Sequence, residues 1–422
     1  MVRLSQCMIV KNEERNIEKA LSWAKRIAFE QIVVDTGSTD RTVEIAEQMG
    51  AKVYHFKWID DFAAAKNFAI EQAIGNWIAF LDADEYFSPV DAKKVMVYLK
   101  NIMSDPEMQK NYLAINCKWS QVDDAGKPFS VNTQERIFRN LPNVRYIGRI
   151  HEKLNLISAN IANAREITII HTGYSATAYE GGVKAERNIE LIERELDENP
   201  DDPNMKIYLA DSLLIRGDTD SDAKALALYR EAIDSGRSIH EMLRKSAFFR
   251  LIEKGINSGE NPSDTEELCR RALEGSPGDM DFEYYLAIFL YNRGEHREAW
   301  DMLKGVEEKL INAESLDEAR LVTAKPEDLF SRMVLVAQSL RDVEGVIRYA
   351  TMVLTADKTN QEVLGPYIAT MLGNKVTEDE LIELLAKLYD MKDAHDLLLI
   401  ARAAKNRGAL DFARRVVAMI KT

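Results

Sequence analysis

Cysteine is scarce. The 422-residue chain has three, Cys7, Cys117 and Cys269, far apart and without a CxxC pair. That excludes a disulfide framework and a thiolate zinc site, and it fits a reducing compartment. Long apolar runs are missing as well. No stretch of 18 uninterrupted apolar residues occurs, and the opening MVRLSQCMIVKNEE has an apolar run of only a few residues, too short for a signal peptide or a spanning helix. These absences predict a soluble, cytoplasmic protein with no transmembrane segment, whose membrane contact would be peripheral. Positive charge is outnumbered: 55 Lys and Arg stand against 69 Asp and Glu, a net charge of −14. Such a surface repels phosphate backbones and excludes general nucleic-acid binding, while leaving room for a local basic site for a nucleotide. Neither GxGxxG nor GxxxxGK[ST] is present, which argues against a dinucleotide oxidoreductase and a P-loop enzyme. What is there is an ordinary globular balance, 46% hydrophobic and 29% charged, in a chain long enough for two to three domains.

Two halves differ in pattern. The first, up to about residue 180, alternates strand and helix signals. RLSQCMIV (3–10) reads as a strand, and Asn12 is placed to cap a helix running to about residue 26. IVVDTG (32–37) is a short β-branched run ending in a turn, as a buried parallel strand would be. Ser38 or Thr39 is placed to cap the helix TVEIAEQM, and Gly50 to stop it. AKVYHF (51–56) is a third strand, DFAAAKNFAIEQAIG (61–75) an amphipathic helix, and NWIAFLDAD (76–84) a fourth strand that turns abruptly acidic. This order predicts an α/β, Rossmann-like domain with a mostly parallel sheet. Further strand-like runs follow over 110–175: YLAINCKWSQ, QERIFRN, VRYIGRIHE and EITIIHTGY.

From about residue 182 strand signals give way to successive amphipathic helices, so the expected domains are 1–180 and 181–422. Within the second, YLADSLLIRGD (208–218) matches YLAIFLYNRGE (285–295), with Tyr, Leu, Ala, Leu, Arg and Gly recurring 77 residues apart. A weaker copy, LLIARAAKNRGALDFARRVV, lies at 398–417. Helix, glycine turn, helix at a spacing near two units of ~34 residues resembles tetratricopeptide repeats, over 195–310 clearly and 327–420 loosely. Repeats of this kind stack into a solenoid with a concave surface.

Chemistry concentrates at strand ends. Asp82-Ala83-Asp84, followed by Glu85, closes an apolar strand, and the exposed strand ends of an open parallel sheet are where ligands bind. Two carboxylates so placed repel each other unless an oxygen-seeking divalent cation such as Mn²⁺ or Mg²⁺ relieves them; the plainer reading is a solvated turn. The second strand ends in Asp35, followed by Thr36-Gly37-Ser38-Thr39-Asp40, and the first near Asn12-Glu13-Glu14. Polar groups thus converge at three strand tips. Helix capping accounts for one or more of Ser38, Thr39 and Asp40, but not for Asp35.

Taken together, MIVKNEE, IVVDTGSTDRT, KVYHFKWIDDFAAAKNFA and WIAFLDADE resemble the family 2 glycosyltransferases of GT-A fold, over residues 1 to about 175. The resemblance implies that Val10, Asn12 and Asp35 line the nucleoside pocket, that Lys66 and Asn67 face the sugar diphosphate, that Asp82 touches the ribose or donor sugar, and that Asp84, with or without Asp82, holds the metal. It also implies a nucleotide-sugar donor, UDP-linked by family precedent, and inversion at the anomeric carbon. Many members carry two acids in the second motif, where this chain has Asp35-Thr36. With the DxD acids so occupied, Glu152 or His151 is the remaining candidate for the base that takes the acceptor proton. His171, closing an apolar strand, is a candidate to complete the metal shell or a structural residue. Arg136 and Arg139 are candidates for phosphate or acceptor contact, or ordinary surface charge. Trp58 and Trp119 are offered to a sugar or base, or belong to the core.

Fusion of such a domain to helical repeats resembles bacterial glycocin glycosyltransferases, which modify Cys or Ser/Thr of small peptides. The shared features are KW..DF...KN (57–67), R.FR (136–139), G..HE (148–152) and H.GY (171–174). By that resemblance the repeats bind a peptide or protein acceptor or mediate a homodimer. The aromatic stretch Phe282, Tyr284, Tyr285, Phe289 and Tyr291 is a candidate groove lining, although Tyr285 and Phe289, at i and i+4, should be core. Transfer to a lipid-linked or lipopolysaccharide-core acceptor, a non-catalytic scaffold with a retired transferase domain, and a sugar-nucleotide hydrolase or nucleotidyltransferase are the alternative readings.

Overall fold

The computed structural model describes residues 1–173, 181–258, 261–312 and 321–420; Tyr174 of the H.GY motif lies outside them. The described chain divides into two compact units, Met1–Ile239 and His240–Thr422.

The first unit is built on a sheet of eight strands, β1 (Leu4–Val10), β2 (Glu30–Asp35), β3 (Lys52–His55), β4 (Trp77–Phe80), β5 (Glu85–Phe87), β6 (Ala114–Val122), β7 (Pro128–Arg139) and β10 (Ile161–His171). β8 (Tyr146–Ile147) and β9 (Lys153–Leu154) form a small hairpin. The strand order is β3-β2-β1-β4-β7-β6-β10-β5. β3, β2, β1 and β4 run parallel. β7 pairs antiparallel with β4 and β6, and β5 antiparallel with β10. The architecture is the expected α/β domain with a mostly parallel sheet, followed by helices.

Alternation explains how the central strands are covered on both faces. Cys7, Ile32 and Val34 pack with Ala63, Ala69 and Ile70 of α3 (Phe62–Glu71). Their neighbours Met8, Val10 and Val33 point to the other face, against α1 (Ile17–Ser22) and Ala46 of α2 (Thr42–Gln48). Each fully buried aliphatic side chain of this kind contributes about 1.5–3 kcal/mol. Helices α4 (Pro89–Ser104) and α5 (Pro106–Asn111) follow β5, and Val95, Leu99 and Ile102 of α4 join the core with Phe87 and Ile169.

Local expectations fail where a side chain has a better partner. Asn12 caps no helix: it sits at φ 57, its side-chain carbonyl accepts from the Thr39 amide at 2.8 Å, and α1 starts only at Ile17. Ser38 and Thr39 do not cap α2. The N-cap position is Arg41, without a side-chain cap bond; Asp40, one residue earlier, accepts from the Thr42 amide at 3.0 Å, and the Ser38 hydroxyl accepts from the Asn12 amide at 2.9 Å. The run VRYIGRIHE yields only the two residues of β8. β5, inside the acidic turn, was not expected.

The helices after the sheet are α6 (Gly181–Glu198), α7 (Pro203–Leu214) and α8 (Thr219–Asp234) in the first unit. The second unit holds α9 (Glu241–Ser258), α10 (Pro262–Gly275), α11 (Met280–Asn292), α12 (His296–Asn312), α13 (Pro326–Ser339), α14 (Val343–Ala356), α15 (Gln361–Gly373), α16 (Glu378–Leu385), α17 (Ala394–Asn406) and α18 (Leu410–Met419). The three sequence copies are the helix pairs α7/α8, α11/α12 and α17/α18. In each the turn glycine adopts positive φ: Gly217 at 70°, Gly294 at 84° and Gly408 at 79°. Glycine recurs there because the left-handed conformation costs any other L-residue energy. In α11, Phe282, Tyr284, Tyr285 and Phe289 are all buried. That bears out the core placement of Tyr285 and Phe289 and corrects the groove reading for the other two, whose helix packs on both sides. Tyr291 is half-buried with its ring against His296. Among the described residues no helix is long and apolar enough to cross a membrane.

Nothing lies within 4 Å of the Cβ that alanine would add at Gly294, so Gly294→Ala tests backbone strain alone. We expect it to lower stability by about 1–2 kcal/mol, read as a lower urea midpoint at unchanged slope; an unchanged midpoint would refute the strain argument.

Candidate active site

The chain passes from β1 outward through β2 to β3, then returns to place β4 on the other side of β1. Ligands in open α/β sheets bind beyond the carboxyl ends of the strands at such a reversal. Here that edge carries Val10 and Asn12 after β1, Asp35 at the end of β2, and Asp82 and Asp84 after β4.

The loops after β1 and β2 are laced together. Besides the two bonds of Asn12, the Glu13 amide donates to the Thr42 hydroxyl at 2.7 Å and the Glu14 amide to Asp40 at 3.1 Å. Asp35 is buried and accepts from the Gly37 and Ser38 amides at 3.2 and 3.0 Å. Burial opposes its charge, yet these bonds, with His55 at 3.4 Å, hold its carboxyl below the usual range. Val10 is buried beside it. His55 had no sequence pattern to single it out; only the pairing of β2 with β3, Asp35 opposite His55, brings it here.

Beyond β4 the side chains form a continuous ionic cluster. Lys66, pointing out of α3 and buried, lies 3.3 Å from Asp82 and 2.6 Å from Glu152. Arg136 donates to Asp82 and to Glu85, each at 2.7 Å. Glu85 is fully buried and accepts from the Trp119 indole at 2.7 Å and the Asp82 amide at 3.0 Å. Burial works against charge at Lys66, Asp82, Glu85 and Arg136. Even so, Arg136 and Lys66 hold the Asp82 carboxyl well below its ordinary value, and Asp82 and Glu152 hold Lys66 above its own. For Glu85 desolvation outweighs Arg136 and the pKa goes up. Tyr146 completes the floor: Lys66 lies 5.1 Å from its ring, and burial pushes its phenol up to about 12. Arg136 reaches this cluster because it is the extra residue of a β-bulge: Ile137 pairs with Ile115 and Glu135 with Asn116, leaving Arg136 between them. Bulges re-aim side chains in this way.

A second pair stands beside the first. His171, at the end of β10, has Nε2 3.3 Å from Asp84 Oδ2. The Asp84 carbonyl accepts from the Thr172 amide at 3.0 Å, and the His171 ring lies against Trp119, centroids 4.5 Å apart. Gly173 leaves this pair room: a Cβ there would stand 2.0 Å from Asp84 Oδ2 and 2.8 Å from His171 Nε2. A carboxylate oxygen and an imidazole nitrogen converging on space kept clear of side chain are a donor set that fits Mn²⁺ or Mg²⁺. At full ionisation the neighbouring cluster has three carboxylates, Asp82, Glu85 and Glu152, against two cations, and Asp84 adds another negative charge. That excess favours a divalent ion.

Not every candidate arrives. Asn67 is bound to both backbone groups of Tyr146, at 2.9 Å each, so its amide fixes the β8 segment instead of facing a ligand. Arg139 pairs with Trp77 at the start of β4, the end away from Asp82, and donates to the Gln109 carbonyl at 2.8 Å. Asp82 turns to Lys66 and Arg136, leaving Asp84 and His171 as the paired metal candidates. Trp58 donates to Asp60 at 2.8 Å and packs edge-on against Phe62. Trp119 serves Glu85 and His171. Both tryptophans are half-buried and held by these contacts. His151 stacks on Tyr208, and desolvation pushes its pKa down, which makes it a weak base. Gly173, Tyr146 and Tyr208 were not singled out from the sequence, and Glu85 was noted only as the acid after the DxD run. Glu85 adjoins the DxD run and Gly173 lies in H.GY, which are the signals available for those two.

Comparison with known proteins covers part of this edge. Residues 5–120 match the family described as Glycosyl transferase family 2. The match covers about a quarter of the chain and lies within its α/β domain. A TPR repeat-containing protein of Synechococcus elongatus is 34% identical over 227 residues, 52% of this chain and 54% of that protein. The SPbeta prophage-derived glycosyltransferase SunS of Bacillus subtilis is 27% identical over 238 residues, 56% of this chain and 54% of that protein. The chain thus spans about half the length of the curated relatives it matches. Among solved structures, S. aureus TarS in complex with UDP aligns over 69% of this chain and 92% of that chain, at 14% identity and a TM-score of 0.37. The matched segment carries Asp35, Lys66, Asp82 and Asp84, whereas Arg136, Glu152 and His171 lie beyond it.

Arg136→Met removes the cation from the fully buried Glu85. We expect a loss of about 3 kcal/mol at pH 7, because one partner of a buried pair is left uncompensated. The sign follows from the raised pKa of Glu85: protonation relieves the penalty, so the loss should shrink as pH falls from 7 toward 5 in denaturant melts. A pH-independent loss would show that packing, not charge, is what Arg136 supplies.

Proposed function

We propose that the protein transfers a sugar from a nucleotide-sugar donor, UDP-linked, to a Ser, Thr or Cys side chain of a peptide or protein, in one inverting displacement that depends on a divalent cation. The observation that carries this reading is the meeting, at one sheet edge, of the Asp84–His171 pair with the Lys66–Asp82–Glu152 cluster. The peptide acceptor rests on the shared KW..DF...KN, R.FR, G..HE and H.GY features and on the helical repeats. The UDP preference rests on family resemblance.

Asp84 and His171 would hold Mn²⁺ or Mg²⁺, which when bound supplies positive charge against the departing diphosphate. Val10, Asn12 and Asp35 would border the nucleoside. Asp82, fixed between two cations, would present an oriented acceptor to a donor hydroxyl, since a carboxylate held in place pays no reorganisation when the substrate arrives. Glu152 would be the base. It receives the acceptor proton as the acceptor oxygen or sulfur bonds to the anomeric carbon and the bond from that carbon to the diphosphate oxygen breaks. Its partner Lys66 fixes the direction of the carboxylate. Glu152, and not His151, joins the cluster through Lys66, and the His151 ring is taken up by Tyr208, which argues for Glu152 over its neighbour.

We expect one of a panel of UDP-, GDP- and dTDP-sugars to bind with Mn²⁺ and to be released by chelator. Asp84→Ala and Gly173→Ala should each lose that metal dependence while keeping the melting profile, with Mn²⁺ occupancy read directly by paramagnetic resonance. A folded protein that binds no donor would sink the transferase reading; wild-type Mn²⁺ occupancy in both variants would sink the metal assignment alone.

Glu152→Gln should lower kcat for donor hydrolysis by about 10²–10⁴-fold with KM for the donor little changed. An unchanged kcat would move the base elsewhere.

A further inference from the structure

The loop carrying Glu152 is short, strained and held from outside the sheet. It runs from β8 to β9, with Gly148 at φ 94 and His151 at φ 51. A histidine in the left-handed region is retained only where surrounding contacts over-determine it. The contacts come from the helices that follow the sheet, all within the first compact unit. The His151 ring lies flat on Tyr208 of α7, centroids 3.5 Å apart and planes 6° apart. Arg149 pairs with Glu195 at 3.7 Å and with Glu198, both on α6. Arg149 also gives its carbonyl to the Phe62 amide, at 2.8 Å, at the start of the helix that carries Lys66. From α6, Arg194 reaches Asp60 at 2.6 Å and Arg187 lies over the Phe62 ring at 5.3 Å. Asp60 too has positive φ, 58°. Two strained loops, one leading into Lys66 and one ending at Glu152, are therefore gripped by α6 and α7. The product of that grip is the 2.6 Å pair between Lys66 and Glu152.

We infer that Tyr208 is a positioning residue for the Glu152 carboxylate, and that helices α6 and α7 work as part of the transferase unit although the sequence of α7 reads as the start of the repeats. The inference rests on the role given to Glu152 above. Exposed ion pairs such as those of Arg149 and Arg194 each contribute little, so the stack is the contact to test. Tyr208 touches His151 and reaches the reaction only through the loop. Its loss should therefore misplace the base without removing a donor contact, and small misplacements of a reacting group are costly in rate.

The test uses the full chain, with UDP-glucose and UDP-N-acetylglucosamine hydrolysis in Mn²⁺ as the rate assay and tryptic cleavage after Arg149 as a readout independent of activity. Tyr208→Ala should lower kcat about tenfold or more with donor KM within about twofold, and should speed cleavage after Arg149. Tyr208→Phe, which keeps the stack, should restore both. Tyr208→Leu, which keeps volume in α7 but not the ring, stands in if the alanine variant does not fold. Wild-type kcat in Tyr208→Ala, where Glu152→Gln is inactive, overturns the inference and leaves the base assignment standing. An active Glu152→Gln overturns the base assignment instead; cleavage after Arg149 then decides whether Tyr208 holds the loop, and an unchanged rate overturns that as well.

Discussion

The structure turns on one carboxylate. Asp82 stands where an apolar strand meets the ligand edge, and it is held there by two cations from different parts of the chain, Lys66 from the helix before the strand and Arg136 from a bulge after it. Each cation is shared with a second acid, Glu152 and Glu85 respectively. Removing charged groups from water is expensive, and attraction between them offsets the cost only when every partner is in place. The cluster is thus an all-or-nothing arrangement. It fixes the end of β4, the exit of α3, the bulge of β7 and the loop before β9 against one another. The Asp84–His171 pair then stands beside a rigid neighbour, with Trp119 against the imidazole and Gly173 leaving one side clear.

Rigidity at that edge comes from loops that are individually unfavourable. Asn12, Asp60 and His151 occupy positive φ without being glycine, and each is kept there by a specific partner: Thr39 through the Asn12 side chain, Arg194 through Asp60, and Tyr208 through the His151 ring. Strain of this kind gathers where a surface must hold side chains in one geometry. In the helical second unit Gly294 and Gly408 adopt the same conformation at little cost, while Arg341 at φ 61 and Lys375 at φ 65 bear it in the turns after α13 and α15.

Much of this was legible. Strand ends, the DxD turn, the Asp35 turn and the lysine-bearing helix each announce themselves within a few residues, because local sequence carries hydrophobic period, capping and turn chemistry. The recurring Arg-Gly turns 77 residues apart gave away the paired helices. Assignments failed where a polar residue had several possible partners. Asn12 and Ser38 looked like helix caps and are bonded to each other's loops. Asn67 and Arg139 looked like ligand contacts and are spent on the Tyr146 backbone and the Gln109 carbonyl. The aromatic row of α11 looked like a groove and is mostly core, since a helix packed on both sides has no free face to read from its period.

By itself the sequence determined the α/β order of the first unit, the helical run of the second and the strand-end acids, because those depend on contacts between near neighbours. Only the tertiary structure decided which acid keeps which cation. The choice of Lys66 for Asp82 and Glu152, of Arg136 for Glu85, and of His171 for Asp84 spans tens of residues. It is set by strand order, by one inserted residue in β7 and by where burial leaves a charge no other partner. The same holds for Tyr208, whose place in a repeat-like helix gives no sign of the loop it holds. Which long-range pairs form depends on the desolvation cost of leaving any of them unmade, and that cost exists only once the fold has excluded water.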